Sequence, residues 1–195
     1  MKKLLAITNH SYMFWQFRRE LMEELQKDYE VAVSTPFVGH EKDLSDMGLR
    51  MIQTEVNRRS INPRTDLKLL MTYYRLLKEE KPDMVITYSI KPNIYAGLAC
   101  RRLKIPYCVN VQGLGTAFQK PSLASVVSLL YRSACKRAKA VFFENAGTRR
   151  NSSTGESCPS RRSRCSPAPA STWTIIPMPI IRSMRKSASC TSEES

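Results

Sequence analysis

The stretch that decides the fold is Met84–Val111, MVITYSIKPNIYAGLACRRLKIPYCVNV. It begins with the apolar run Met84–Tyr88 and ends with a second apolar run, Tyr107–Val111, and the residues from about Asn93 to Leu103 between them predict a helix. Short apolar runs bounded by turn residues are typical of buried strands. A helix that joins two such strands places them in parallel, so we predict a parallel β-sheet covered by helices.

The same alternation of strand and helix continues along the chain in both directions. Further strands are predicted at Leu4–Thr8, Tyr29–Ser34, Met51–Val56 and Ala140–Phe143, and further helices at Met13–Lys27, within Pro36–Gly48, from Pro63 to Pro82 and at Leu123–Lys139. Six alternations with short connections predict a Rossmann-like, doubly wound α/β fold with helices on both faces of the sheet. Ligands of such folds bind at the carboxyl ends of the strands, which are followed here by residues 9–11, 89–93, 112–117 and 144–145.

Two helices have recognisable ends or faces. Asn62 suits the cap of the long helix, Pro63 its first turn, and Asp66 its positive end. We expect its buried face to consist of Leu67, Leu70, Met71, Tyr74 and Leu77. For the first helix we expect one buried stripe formed by Phe14, Phe17, Leu21 and Leu25.

The charge of the chain is strongly positive, at +14. Residues 1–147 hold 23 Lys and Arg against 14 Asp and Glu, and residues 148–195 hold 8 against 3. An excess of this kind indicates a phosphate-bearing partner, namely nucleic acid, an anionic membrane or a phosphorylated substrate, or else a merely basic surface.

Neither the cysteines nor the first residues of the chain demand an oxidising or exported location. Cys100, Cys108 and Cys135 fall in predicted helices or strands and are expected to be buried thiols, while Cys158, Cys165 and Cys190 lack the paired spacing of a zinc site. The apolar run after Met1 ends at Ile7, too early for a secretion signal or a membrane span. We expect a cytoplasmic protein.

Neither a glycine-rich dinucleotide motif nor a phosphate-binding loop follows the first strand, where Asn9-His10-Ser11 stands instead. His10 could contact an acceptor hydroxyl or phosphate. Alternatively, Asn9 or Ser11 caps the next helix and His10 is merely exposed.

Gln112-Gly113-Leu114-Gly115-Thr116 follows another buried strand. Paired glycines allow backbone N–H groups to approach a ligand closely, although an ordinary glycine turn explains them equally well. Ser89 and Lys91 follow the strand before it, where the ammonium group could meet a diphosphate. Lys91-Pro92-Asn93 is also compatible with a plain helix start.

Aromatic and basic residues alternate early in the first helix, where Tyr12, Phe14, Trp15 and Phe17 accompany Arg18 and Arg19. A second basic strip contains Arg132, Lys136, Arg137 and Lys139. Each strip is compatible with a solvated charged face. Together they favour peripheral contact with an anionic membrane.

Four strings resemble one family: Thr8-Asn-His-Ser-Tyr-Met-Phe14, Asn62-Pro-Arg-Thr-Asp-Leu67, Thr87-Tyr-Ser-Ile-Lys-Pro-Asn-Ile-Tyr-Ala-Gly-Leu-Ala-Cys100 and Val111-Gln-Gly-Leu-Gly-Thr-Ala-Phe118. Over residues 1 to about 146 the chain resembles the N-terminal half of GT-B glycosyltransferases of family 4. The branch it resembles extends lipid-linked oligosaccharides for bacterial surface polysaccharides or glycoprotein glycans.

The resemblance implies that residues 1–147 form the acceptor-binding domain, and that a second domain, absent from this chain, binds the nucleotide sugar. It also implies transfer with retention of configuration, without a metal or another cofactor. The acceptor is expected to be a glycan or a lipid-linked oligosaccharide. Its expected binding residues are Asn9, His10, Ser11, Ser89, Lys91, Gln112, Gly113, Gly115 and Thr116. The catalytic residues stay unknown, because the donor-binding motifs belong to the other half, and the chain alone is expected to be inactive.

Residues 148–195 are rich in Ser, Arg, Pro and Cys without periodicity, and we expect them to be disordered. Back-translation permits a coherent frame displaced by one nucleotide, in which the Trp173–Thr174 junction encodes aspartate. The hypothesis is therefore a single-base loss near codons 146–151.

Two further classes of function remain open. The arginine-rich tail could form a nucleic-acid-binding module, but Trp173 is the one aromatic residue interleaved with its basic residues, so no nucleic acid is expected as a partner. The other class is one half of a GT-B-like sugar-nucleotide epimerase.

Overall fold

A computed structural model describes residues 1–57, 62–112, 121–143 and 174–177 of the chain. Seven strands are found, namely β1 (Lys2–Ile7), β2 (Tyr29–Thr35), β3 (Arg50–Gln53), β4 (Met84–Tyr88), β5 (Tyr107–Val111), β6 (Ala140–Phe143) and β7 (Thr174–Pro177). Five helices alternate with them, namely α1 (Ser11–Leu25), α2 (Glu41–Asp46), α3 (Pro63–Glu80), α4 (Ile90–Leu103) and α5 (Pro121–Cys135). None of these helices, within the described part of the chain, is long and apolar enough to cross a membrane.

The strands form one sheet in the order β3-β2-β1-β4-β5-β6-β7. Every pair from β3 to β6 is parallel, and β7 alone runs antiparallel to its neighbour. The chain moves outward from β1 to β3 and then crosses to β4 on the other side of β1. This reversal makes the carboxyl ends of β1 and β4 the place where such a sheet opens a crevice.

The two faces of the sheet carry separate apolar cores. Phe14 and Met22 of α1 and Leu44 of α2 pack on one face, against residues such as Leu4 and Val33. The opposite face is covered by α3, α4 and α5 through side chains that include Tyr73, Ala96 and Cys135. The predicted Rossmann-like α/β fold with helices on both faces is therefore confirmed.

The predicted limits of several elements are also confirmed. Met84–Tyr88, Tyr107–Val111 and Ala140–Phe143 are strands over the predicted residues. Asn62 caps α3 as expected, because its side-chain oxygen accepts a hydrogen bond from Arg64 N at 3.0 Å. At the other end, Lys81 takes the left-handed conformation before Pro82 and ends the helix.

The predicted buried faces of α1 and α3 are partly wrong. In α3, Leu67 and Met71 are 60% and 46% exposed, whereas Leu69, Tyr73 and Leu76 are buried. In α1, Phe17 is 52% exposed and Arg18 is buried in its place. Both helices carry apolar residues over more than one stripe, so periodicity alone allows two orientations. Packing against the sheet and the neighbouring helix selects one of them.

The last strand lies within residues 148–195, the segment that the sequence predicts to be disordered. Thr174–Pro177 pairs with β6 in the register Phe143↔Thr174 to Ala140↔Pro177. β6 would otherwise be an unpaired edge, and the two isoleucines of the segment favour an extended strand. Other residues of the tail, including Trp173, lie outside the described ranges.

Candidate functional site

A cleft of about 110 Å³ lies where β1, β4 and β5 end. Its described lining consists of Thr8, Asn9, His10, Met13, Phe14, Arg18, Tyr88, Ser89 and Gln112. Four of the residues expected in the site, Asn9, His10, Ser89 and Gln112, are thereby brought together from three separate loops. The sheet topology accounts for this meeting, since parallel neighbours present their carboxyl ends at one edge.

His10 begins α1 as its N-cap. Its backbone is extended, and its Nδ1 accepts a hydrogen bond from Met13 N at 3.5 Å, which is long for such a bond. The expectation that Asn9 or Ser11 caps the helix is therefore wrong. The same imidazole lines the cleft, so capping and ligand contact are compatible roles for it.

Ser11 is fully buried and is absent from the described cleft lining. Its hydroxyl donates to Glu41 Oε1 at 2.9 Å and accepts a hydrogen bond from Val38 N at 3.0 Å. These bonds tie the start of α1 to the first residue of α2 and to the segment before it. Ser11 therefore supports the edge of the cleft rather than lining it.

Ser89 connects β4 to α4 in an unusual backbone conformation. Its φ of 71° and ψ of 161° lie in a region that is nearly restricted to glycine and that costs about 1–3 kcal/mol for other residues. Its hydroxyl donates to Gln112 Oε1 at 3.2 Å, and its side chain makes no capping bond to α4. The loops after β4 and β5 are thus joined across the cleft.

Lys91 is placed away from the described lining of the cleft. Its ammonium nitrogen lies 2.8 Å from Asp66 Oδ1, and both side chains are only 14% and 13% exposed. Asp66 also contacts Tyr95, and burial together with this carboxylate raises the pKa of the tyrosine. The sequence-based role of Lys91 as a diphosphate ligand does not agree with this placement, because the ammonium faces α3.

Arg18 is the one charged residue among the described cleft residues that the sequence did not place in the site, the others being Thr8, Met13, Phe14 and Tyr88. It is only 8% exposed; its guanidinium carbon lies 5.4 Å above the centre of the Tyr88 ring, and Nη1 donates to Phe17 O at 2.7 Å. Phe14 packs edge-on against the same ring. Burial lowers the pKa of Arg18, and the nearby Tyr88 partly offsets that effect. The sequence did contain a signal for this placement. Arg18 stands four residues after Phe14 and four before Met22, so it lies on the same side of α1 as these two buried side chains.

Other predicted features are outside the described ranges or have a structural role. Gly113, Gly115, Thr116 and the segment 144–145 lie outside the described residues. The three described cysteines are free thiols, and burial raises the pKa of Cys100 and Cys135 to about 12. In the described parts of the chain, no three His, Cys, Asp or Glu side chains are grouped so that they could hold a metal ion.

Comparison with known sequences yields one family model and two related enzymes. The model, glycosyl transferase 4-like, matches residues 3–145. The N,N'-diacetylbacillosaminyl-diphospho-undecaprenol alpha-1,3-N-acetylgalactosaminyltransferase of Campylobacter jejuni is 32% identical over 139 residues, which cover 67% of this chain and 37% of the enzyme. The UDP-Gal:alpha-D-GlcNAc-diphosphoundecaprenol alpha-1,3-galactosyltransferase of Escherichia coli is 36% identical over 90 residues, or 46% of this chain and 23% of the enzyme.

Solved structures share the fold at lower identity. MurG of Acinetobacter baumannii superposes with a TM-score of 0.51 at 21% identity, covering 76% of this chain and 42% of MurG. A UDP-N-acetylglucosamine 2-epimerase superposes with a TM-score of 0.55 at 17% identity, covering 77% of this chain and 44% of the epimerase. These likenesses concern the fold alone. In each case the chain spans less than half of the longer protein.

Proposed function

The chain belongs to the glycosyl transferase 4-like family, and we propose that it is the acceptor-binding part of an enzyme that transfers a sugar from a nucleotide sugar. The proposed acceptor is a lipid-linked oligosaccharide or another glycan, used in the synthesis of a surface polysaccharide or glycan. The observation that carries this proposal is the family match over residues 3–145, which includes β1 to β6 and the whole described cleft. The names of both relatives describe acceptors that bear a diphosphate and undecaprenol.

Binding and transfer are expected to be divided between this chain and a second region. The chain covers 37% of the Campylobacter relative, and the nucleotide sugar is expected to bind in the remaining part of such an enzyme. Transfer requires that the leaving diphosphate be stabilised and that the two substrates be aligned. We therefore propose that the described cleft contributes the acceptor-binding side of such a reaction.

Exposed apolar side chains on α1 and in the segment after β2 support contact with a membrane. Tyr12, Met13, Phe17, Phe37 and Val38, here called the apolar rim, are each 41–53% exposed. Met13 also lines the cleft. The hydrogen bond from Val38 N to the Ser11 hydroxyl joins the part of the rim that follows β2 to the part on α1. An exposed apolar patch beside a cleft suits an acceptor whose lipid remains in the bilayer.

The second basic strip, formed by Arg132, Lys136, Arg137 and Lys139, is poorly placed to contact a membrane together with the apolar rim. Arg132 lies near the end of α5, and Lys136, Arg137 and Lys139 precede β6, so the strip lies toward the amino end of that strand. The cleft opens at the carboxyl ends, and α5 packs on the face opposite α1. A single flat membrane cannot contact both regions at once, so the proposed membrane contact uses the rim and not this strip.

The proposed function is tested by measuring which substrate the full chain binds. Titrations in nanodiscs would compare a polyprenyl-diphospho-N-acetylglucosamine with UDP-N-acetylglucosamine. Binding of the lipid-linked sugar but not of the nucleotide sugar supports an acceptor domain. The reverse result would favour an epimerase-like half, and salt-dependent binding to arbitrary duplex DNA alone would favour a nucleic-acid-binding module.

Membrane contact is tested with two matched variants. Phe17→Glu places a charge in the apolar rim, whereas Leu129→Glu places one at a 66% exposed position of α5 on the other face. We expect Phe17→Glu to reduce sedimentation with anionic vesicles several-fold and Leu129→Glu to leave it unchanged. Equal behaviour of the two variants would contradict the proposed orientation.

A further inference from the structure

Four described residues other than glycine have a positive φ, and one of them, Ser89, belongs to the described lining of the cleft. Lys81 and Lys104 end helices in the left-handed helical conformation, and His40 precedes α2 in the same conformation. Ser89 differs, because its φ of 71° is combined with a ψ of 161°, outside that region. Glycine adopts this conformation without strain, whereas a residue with a Cβ atom does not. The most strained backbone of the four is therefore the one at the cleft.

The hydroxyl group of Ser89 explains why a serine stands there. The side chain does not cap α4, and its hydroxyl donates to Gln112 Oε1 at 3.2 Å. A neutral hydrogen bond of this kind stabilises a fold by no more than such strain costs. Glycine would serve folding at least as well, so the bond to Gln112 indicates a role in the cleft, which both residues line.

This hydrogen bond decides which end of the Gln112 amide is available to a ligand. Because Oε1 accepts from Ser89, the two N–H donors of Nε2 remain, and no hydrogen bond of the described residues uses them. The side chains of Thr8 and Asn9 in the same lining are also neutral and polar. Groups of this kind match the hydroxyl and amide oxygens of a sugar, which carry no charge.

We propose that Gln112 binds an uncharged oxygen of the acceptor sugar through Nε2, and that Ser89 is a positioning residue whose strained backbone and hydroxyl hold the amide in place. The inference rests on the proposed acceptor-binding function and deepens it, because it assigns the sugar of the acceptor to the side of the cleft formed by Ser89 and Gln112. The oxygen belongs to a sugar hydroxyl or to an acetamido group, which offer the same chemistry to an N–H donor.

Sugar recognition is tested by titrating the full chain in nanodiscs with polyprenyl-diphospho-N-acetylglucosamine and with polyprenyl diphosphate, which lacks the sugar. We expect the wild type to prefer the sugar-bearing lipid at least about fivefold, since one neutral hydrogen bond corresponds to a factor of this order. Gln112→Met removes the amide at similar length and should reduce the preference about fivefold. With polyprenyl-diphospho-glucose as a third ligand, a loss for both sugars indicates a hydroxyl, and a loss for N-acetylglucosamine alone indicates the acetamido group.

The positioning role of Ser89 is tested by whether it acts through Gln112. Ser89→Ala keeps the Cβ atom and removes the hydroxyl, and we expect it to reduce the sugar preference about threefold. Added to Gln112→Met, the same change should have no further effect, because the two residues act as one unit. Additive losses in the double variant would overturn the positioning role.

A glycine variant separates backbone strain from sugar binding. Ser89→Gly relieves the strain, so its urea midpoint should exceed that of Ser89→Ala, while its sugar preference should be reduced to the same extent. Lys104→Gly is the matched control at the other end of α4, where φ is 59° and the exposed residue is outside the described cleft lining. We expect this control to keep the wild-type preference. Retention of the preference by Ser89→Gly, or a midpoint below that of Ser89→Ala, would contradict the role of Ser89.

The failures of the two proposals are distinguishable. If the wild type binds polyprenyl-diphospho-N-acetylglucosamine no more tightly than polyprenyl diphosphate, or if Gln112→Met keeps the wild-type preference, the contact with the sugar is overturned and the acceptor-binding function stands. If the wild type binds neither lipid, both proposals are overturned.

Discussion

Lys91 and Arg18 are cations on opposite sides of the same sheet edge; Arg18 is buried and Lys91 is partly buried, and their surroundings differ. Lys91, in the first turn of α4, faces Asp66 at 2.8 Å, so its charge is countered within the fold and joins α4 to α3. Arg18, in the middle of α1, contacts the Tyr88 ring and a backbone carbonyl and lines the cleft. Proximity to a loop in the sequence does not decide which cation lines the cleft. The packing of its helix decides it.

The contrast between Lys91 and Arg18 predicts the largest loss of stability for the substitution of Asp66. Asp66→Ala removes the carboxylate that faces the buried Lys91 ammonium, and we expect a loss of about 3 kcal/mol in the free energy of unfolding, measured with urea. The double variant Asp66→Leu, Lys91→Met removes both charges and should recover most of that loss. If the single and double variants are equally unstable, the ion pair is not the interaction that joins the two helices.

A second contrast concerns the caps of α3 and α1. Asn62 Oδ1 accepts from Arg64 N at 3.0 Å, whereas His10 Nδ1 accepts from Met13 N at 3.5 Å. Asn62→Ala should therefore cost about 1 kcal/mol in the free energy of unfolding, and His10→Ala less. His10→Asn, which supplies a better cap, is expected to match or exceed the wild type. A larger loss for His10→Ala than for Asn62→Ala would reverse the ranking of the caps.

Arg18 should matter less than Asp66 for stability. Arg18→Met loses the contact with the Tyr88 ring, but it also removes the cost of burying a guanidinium, so the expected change is within about 1 kcal/mol. The apolar stem is replaced by a side chain of similar length. Urea unfolding of this variant beside Asp66→Ala gives the direct comparison. A loss for Arg18→Met as large as that for Asp66→Ala would mean that Arg18 is mainly structural.

The smallest expected effect is a pH dependence at the edge of the cleft. Burial acts to raise the pKa of Glu41, but hydrogen bonds from Gly39 N and the Ser11 hydroxyl outweigh it and lower the pKa. A lowered folded pKa adds stability above the unfolded value of about 4.5, and that stability is lost as the pH falls through the folded value. Glu41→Gln should reduce the difference in urea midpoint between pH 7 and pH 3.

The control for this change is Glu23→Gln, at an exposed glutamate of α1. We expect Glu23→Gln to leave the difference in midpoint unchanged. A change of the same size in both variants would indicate a general effect of net charge rather than the Glu41 hydrogen bonds.

The strands and the fold class were predictable because they depend on local apolar runs. Met84–Tyr88 and Tyr107–Val111 are bounded by turn residues and follow the predicted limits. Asn62 and Pro63 likewise begin α3, because a cap and a first turn are determined by neighbouring residues. The edge at which a ligand binds follows from the parallel alternation itself. Asn9, His10, Ser89 and Gln112 could therefore be expected at one cleft.

Tertiary packing decided which side chains of each element face the site. α1 and α3 carry apolar residues on several stripes, so only their contacts with the sheet and neighbouring helices place Arg18 inward and Leu67 outward. The pairing of Lys91 with Asp66 joins residues 25 positions apart, and the bond from Ser11 to Glu41 spans 30. Residues Thr174–Pro177 form a strand because they pair with the edge of β6. Local sequence therefore determined the elements of this protein, while long-range contacts decided which side chains face one another within the fold and which line the cleft.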